Sequence, residues 1–120
     1  MNEKVEKHNL SIGFIGGGRI TRIILAGWKR KGDFPGAIMV SDTNPDVLQK
    51  LKQTFSNIET CSDNAKAAGC DIVFLSLHPP AISAIFGDIK AALQPSVIFV
   101  SLRQSGQWLI YRRLWVDFPG

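Results

Sequence analysis

Ser11-Ile12-Gly13-Phe14-Ile15-Gly16-Gly17-Gly18-Arg19-Ile20-Thr21, continuing as Arg22-Ile23-Ile24-Leu25-Ala26-Gly27-Trp28-Lys29-Arg30-Lys31-Gly32, is the stretch that decides how the chain is read. Leu10 to Ile15 is an apolar run that enters three consecutive glycines. Beyond them the apolar period changes. Ile20, Ile23, Ile24, Gly27 and Trp28 recur at helical spacing and predict a helix with those residues inward. The cationic Lys29-Arg30-Lys31 suits the negative end of a helix dipole, and Gly32 stands where a left-handed cap is expected. The stretch reads as strand, glycine turn, helix.

A turn of this kind is suited to a diphosphate. Glycine accepts positive φ and carries no Cβ to hold a ligand away. The unpaired N–H groups of the following helical turn then face the anion, assisted by the helix dipole. The charges point the same way. Arg19 and Arg22 occupy a first turn where acids are preferred, and no acid occurs between Arg19 and Lys31. Each such cation costs about 0.3–1 kcal/mol unless an anion docks beside it. The dinucleotide pattern G-x-G-x-x-G/A maps onto Gly16, Gly18 and Thr21, so a β-branched residue stands at the position that sets helix–strand packing. Glycine turns also close ordinary β–α units, and S-adenosylmethionine sites use them too. Placement between a strand and a helix near the N-terminus favours a dinucleotide.

The whole chain is consistent with that reading. Its 120 residues, 45% hydrophobic and 20% charged, make one globular domain. The net charge of +4 is concentrated, with five basic residues between Arg19 and Lys31. A nucleic-acid surface would interleave basic and aromatic residues over a broad face, so no nucleic-acid partner is expected. Cys61 and Cys70 lack metal-ligand spacing and read as reduced thiols, and no metal site is expected. Residues 1–9 are charged and form a flexible tail, neither signal peptide nor anchor. No run approaches the roughly 18 apolar residues of a membrane span, so the expected location is cytoplasmic, without a membrane partner.

Further along, Ala37 to Ser41 is a strand ending in Asp42, and Asn44-Pro45-Asp46 starts a helix whose inner stripe is Val47, Leu48, Leu51 and Phe55. Ile58 to Thr60 is a short third strand, and Ser62-Asp63-Asn64 caps a short alanine-rich helix closed by Gly69. Asp71 to Leu77 is an apolar strand stopped by His78-Pro79-Pro80. A helix over residues 81–93 and a fifth strand, Val97 to Ser101, follow. Strands apolar on both faces and alternating with helices predict an α/β fold, a doubly wound parallel sheet. Ligands of such sheets bind beyond the carboxyl ends of the strands. Residues 103–120 crowd Trp108, Tyr111, Trp115 and Phe118 with arginines, and the spacing predicts a terminal amphipathic helix over 106–116 that packs on the sheet edge or joins two copies in a homo-oligomer.

Three motifs in order, Ile12 to Ile20, Val40-Ser41-Asp42-Thr43-Asn44-Pro45 and Asp71 to Pro79, resemble the N-terminal domain of the pyrroline-5-carboxylate reductases and the related F420-dependent NADP oxidoreductases. The resemblance covers residues 10–102 and implies a Rossmann-like NAD(P)-binding domain. It implies that Gly16, Gly17, Gly18, Arg19 and Ile20 hold the pyrophosphate. Asp42, Thr43 and Asn44 would then meet the adenosine ribose, with Asn64 nearby, and Leu77, His78 and Pro79 would line the nicotinamide side. Asp42 favours NAD(H), whereas Thr43, Asn44 and the family favour NADP(H); the preference expected is NADP(H), with NAD(H) second. The family's helical catalytic domain has no counterpart in this sequence, so an NAD(P)-dependent oxidoreductase unit that is not catalytically complete alone is expected, with no catalytic residue assigned. The alternative is a non-catalytic nucleotide-sensing or interaction module. His78 reads as a rim residue, and Ser76 and Ser101 lack the base a nucleophile needs.

Overall fold

The computed structural model describes residues 10–76, 87, 89–102 and 108–112. Strand β1 (Ser11–Ile15) leads into helix α1 (Arg19–Lys31), followed by β2 (Ala37–Ser41), α2 (Pro45–Thr54), β3 (Glu59–Cys61), α3 (Asn64–Ala68) and β4 (Ile72–Leu75). A 3₁₀ turn (Lys90–Ala92), β5 (Ile98–Leu102) and β6 (Trp108–Arg112) complete the described elements. The sheet order is β3-β2-β1-β4-β5-β6. The first five strands run parallel and β6 is antiparallel to β5. This is the doubly wound, Rossmann-like arrangement that the apolar pattern predicts, with the order reversing between β1 and β4. Among the described residues no helix is long and apolar enough to cross a membrane.

The helices cover both faces. On one, Ile12, Phe14, Ile38 and Val40 pack against Leu25 of α1 and Leu51 and Phe55 at α2. Phe14 stacks on Phe74 at 4.7 Å between ring centroids, and Trp28 meets both rings edge-on. On the other face, Ile15, Val73, Leu75 and Phe99 pack with Ala67, Ala68, Ile89 and Leu93. Burial of each large side chain here contributes about 1.5–3 kcal/mol. Helix α3 lies directly on β1: a Cβ at Gly13 would stand 2.0 Å from the Ala67 carbonyl oxygen, so only glycine admits the approach.

Local signals set the helix ends. Gly32 caps α1 in the left-handed region (φ 86°) and donates to the Trp28 and Lys29 carbonyls. Asn44 caps α2 by accepting from the Asp46 N–H at 2.9 Å, and Asp63 caps α3 by accepting from Ala65 at 3.0 Å.

Two expectations are corrected. The buried row of α1 is Thr21 and Leu25, flanked by half-buried Ile24 and Trp28, while Ile23 is 55% exposed. The helix is rotated from the purely apolar face because the Thr21 hydroxyl has a partner beneath the helix. The terminal amphipathic helix is also overturned over residues 108–112, which form β6, with Phe99 opposite Tyr111 and Val100 opposite Ile110. Three β-favouring residues, Trp108, Ile110 and Tyr111, lie along the edge of β5 that no other described strand covers, and the segment gains a hydrogen-bonded ladder that a short helix would not offer. The tail at residues 1–9 and most of the helix predicted over 81–93 lie outside the described residues.

Candidate functional site

The carboxyl ends of β1, β2 and β4 meet on one rim of the sheet, and the register fixes their neighbours: Ile15 stands beside Ser41 and beside Leu75. From that rim the chain turns at Gly16, whose φ of 105° requires glycine. Its N–H donates to the Ser41 carbonyl at 2.8 Å, and the Gly17 N–H donates to Asp42 Oδ2 at 2.7 Å. A Cβ on Gly17 would press on Leu51, Val47 and the Asp42 carboxylate. These two glycines therefore shape the turn, and their amides are spent inside the protein.

The next amides are not spent. Gly18 is the N-cap of α1 and makes no side-chain cap bond, no acid occupies the first turn, and the first internal hydrogen bond runs from Arg22 N–H to the Gly18 carbonyl. Among the described residues the N–H groups of Gly18, Arg19 and Ile20 have no acceptor. A Cβ at Gly18 would find nothing within 4 Å, and Gly18 and Arg19 are exposed. The result is an open cradle of outward donors at the positive end of a 13-residue helix. Thr21 does not plug it. That residue is fully buried and its hydroxyl donates back to the Gly16 carbonyl, so the β-branched residue locks helix to strand from below.

Asp42 holds the turn in shape. Its carboxylate is half-buried and accepts from Gly17 N–H through Oδ2 and from Asn44 N–H through Oδ1 at 2.9 Å. Asn64, at the start of α3, is joined to the site by the buried Ser41 hydroxyl, which donates to Asn64 Oδ1 at 2.7 Å and leaves the amide NH₂ as its other end. Thr43 and Asn44 are exposed at the rim beyond Asp42. Leu77, His78 and Pro79 lie outside the described residues.

Several features have no signal in the sequence alone. The Asp42–Gly17 brace joins residues 25 positions apart and exists only because β1 and β2 pair in this register. Ser76, just past β4, donates its N–H to the Ile15 carbonyl, yet its buried Oγ has no hydrogen-bond partner. At the opposite end of the sheet Asp71 accepts from the Ser11 N–H and hydroxyl at 2.9 and 3.1 Å, a structural clasp away from the rim. The cysteines are free thiols, and burial pushes the Cys70 thiol above its usual range. Among the described residues no group of three or more His, Cys, Asp or Glu is placed to hold a metal.

With this geometry in view, the chain compares closely with a set of reductases. Residues 11–104 match the family described as NADP oxidoreductase, coenzyme F420-dependent. A pyrroline-5-carboxylate reductase of Pseudomonas aeruginosa is 32% identical over 92 residues, which are 76% of this chain and 33% of that protein. The solved pyrroline-5-carboxylate reductase of Coxiella burnetii superposes with a TM-score of 0.69 at 29% identity, over 81% of this chain and 36% of that one. A putative NADP oxidoreductase of Bacteroides fragilis shares the fold, with a TM-score of 0.65 at 19% identity over 78% of this chain and 36% of the other. The chain thus spans about a third of the length of the relatives it matches.

Proposed function

The chain belongs to the family described as NADP oxidoreductase, coenzyme F420-dependent, and from that premise we propose that it binds a nicotinamide dinucleotide, NADP(H) in preference to NAD(H), as the cofactor unit of a pyrroline-5-carboxylate-reductase-like oxidoreductase. The observation that carries this reading is the cradle at the start of α1: among the described residues, three N–H donors without acceptors, no acid in the turn, and open space over Gly18. A diphosphate matches such a group in charge and in hydrogen-bonding capacity. Gly18, Arg19 and Ile20 donate to it, while Gly16 and Gly17 contribute shape. The Arg19 and Arg22 side chains add positive charge at the same helix end.

The adenosine half lies over β2, toward Thr43, Asn44 and the free amide end of Asn64. Asp42 bears on the choice of cofactor. A carboxylate at the end of the second strand favours NAD when it accepts from the ribose hydroxyls. Here both oxygens already accept from backbone N–H groups, so its charge is partly committed to the protein. Thr43 and Asn44 are left to donate to a 2′-phosphate, which supports NADP(H). The nicotinamide half then extends over β4, toward Leu77, His78 and Pro79. The bound nicotinamide supplies hydride transfer, and the protein supplies position and electrostatics. Free Cys61 and Cys70 suit a reducing, cytoplasmic setting.

Thermal melting with NADPH, NADH and S-adenosylmethionine in separate titrations tests the reading, because a ligand specific to the native state raises the midpoint. NADPH is expected to raise it most, NADH less, and S-adenosylmethionine not at all. No shift with either nicotinamide at millimolar concentration overturns the proposal. A shift with S-adenosylmethionine alone replaces it with a different adenosyl cofactor.

A further inference from the structure

The two edges of the sheet, β3 and β6, are built differently. An edge strand presents a row of backbone N–H and C=O groups with no neighbour, which proteins blunt with short strands, charge or proline, or cover with another chain. The β3 edge is blunted. It is three residues long, begins at exposed Glu59, and Lys52 Nζ donates to the Ile58 carbonyl just ahead of it. The β6 edge has none of these guards. Its five residues, Trp108-Leu109-Ile110-Tyr111-Arg112, include no proline, glycine or acid, and the one cation stands at the last position. The inner side of β6 is paired to β5 from Leu102 opposite Trp108 to Ile98 opposite Arg112, and among the described residues no strand lies on its outer side.

The order of these five residues selects what can cover them. A two-fold axis perpendicular to the sheet brings an edge strand against its own copy in antiparallel pairing, a contact that closes at two chains. With the axis at Ile110 all five residues of each strand are paired. Trp108 then stands opposite Arg112 of the second copy, Leu109 opposite Tyr111, and Ile110 opposite itself. Aromatic with guanidinium, aliphatic with aromatic and aliphatic with aliphatic are all favourable cross-strand pairs. Arg112 never meets Arg112, so no like charges are opposed. Moving the axis to Leu109 or Tyr111 leaves only three residues of each strand in pairing.

We propose that β6 is a self-association surface: two copies of this chain pair their β6 strands antiparallel about Ile110, joining two six-stranded sheets into one. Because the axis reverses strand direction, the carboxyl rims of the two copies point opposite ways. The cradle at Gly18 therefore stays open in both, and the association does not depend on what binds there.

Light scattering and sedimentation equilibrium of the full chain, from micromolar to millimolar concentration, test the assignment. Wild type should approach twice the mass of one chain as concentration rises. Ile110→Lys sets like charges opposite each other at the axis and should keep the mass of one chain throughout, with an unchanged circular dichroism spectrum. Thr60→Lys, on the β3 edge, should dimerise as wild type does. A second arm uses cysteine in a Cys61→Ser background, which removes the less buried native thiol. Directly opposed antiparallel residues have Cα atoms about 4.5–5.5 Å apart, within disulfide reach, so Ile110→Cys should cross-link to a dimer in air. The two copies of Trp108 lie four positions apart, about 14 Å along the strands, so Trp108→Cys should not. A wild-type chain that stays monomeric at millimolar concentration overturns the proposal, as does a mass above two chains or a dimer that survives Ile110→Lys. If Ile110→Lys fails to fold, the cysteine pair decides: no cross-link through Ile110→Cys, or equal cross-linking through Trp108→Cys, overturns the pairing.

Discussion

Replacing Gly18 by valine separates folding from ligand capture. Gly18 sits at φ −81° and ψ −153°, extended backbone that needs no glycine, and a Cβ there meets nothing within 4 Å. No side-chain cap bond is lost, since none exists. The folded-state cost is the poorer N-cap preference of valine, about 0.5–1 kcal/mol. The stiffer unfolded chain returns about 0.4–1 kcal/mol. The two nearly cancel, and the unliganded melting midpoint should move by no more than about 3 °C in a chain of this size.

The liganded protein should respond very differently. The γ-carbons of valine would cover the approach to the N–H groups of Gly18, Arg19 and Ile20, where a diphosphate would have to come within hydrogen-bonding distance. With NADPH at about 100 times its Kd, the wild-type chain gains about 2.7 kcal/mol of stability. At about 3–5 °C per kcal/mol this raises its midpoint by about 8–13 °C. In Gly18→Val the rise should fall below about 2 °C at the same concentration. Calorimetric melting of both chains, with and without NADPH, measures all four midpoints. A full rise in the variant refutes the cradle as the diphosphate site. A variant already unfolded without ligand refutes the open space over Gly18.

Four further outcomes follow from single contacts. Asp42→Ala leaves the Gly17 and Asn44 N–H groups without their acceptor and should cost about 2 kcal/mol in urea denaturation; a loss under about 0.5 kcal/mol would mean the brace carries no weight. Ile23→Ser should be neutral within about 0.5 kcal/mol while Leu25→Ala costs about 3 kcal/mol, reporting which face of α1 is buried; the reverse order would restore the purely apolar face. Gly13→Ala drives a methyl into the Ala67 carbonyl and should cost about 3 kcal/mol or more, and a soluble variant of unchanged stability would deny the close contact of α3 with β1. Burial holds the Cys70 thiol protonated in the folded chain to higher pH than in the unfolded one. The folded state then binds more protons above about pH 8.5, so stability falls as pH rises through that range. Cys70→Ala should flatten the fall, and an identical pH profile in that variant would count against the assignment.

What the sequence discloses and what it withholds divide along one physical line. Apolar periodicity is a property of neighbours in the chain, so strands β1, β2, β4 and β5 could be read directly: a sheet covered on both faces leaves no polar alternation. The caps could be read too, because Gly32, Asn44 and Asp63 act on amides within a few residues of themselves. Polar pairing across the sheet could not. Thr21 reads as a misfit in a glycine pattern, yet its hydroxyl meets the Gly16 carbonyl and turns α1 so that Ile23 faces water. Asp42 reads as a ribose acceptor, and only the register of β1 and β2 reveals that it also braces the Gly17 amide. The same limit explains residues 108–112. A short apolar run fits either period, and the open edge of β5, which no local pattern reveals, decides for a strand. Ser76 is the extreme case, because a missing partner is visible only after every neighbour is in place. Donors that the described residues leave unmatched at one rim, the amides of Gly18 to Ile20, are therefore where structure adds most to sequence. Unmatched amides at the positive end of a helix are the kind of group that favours an anionic partner.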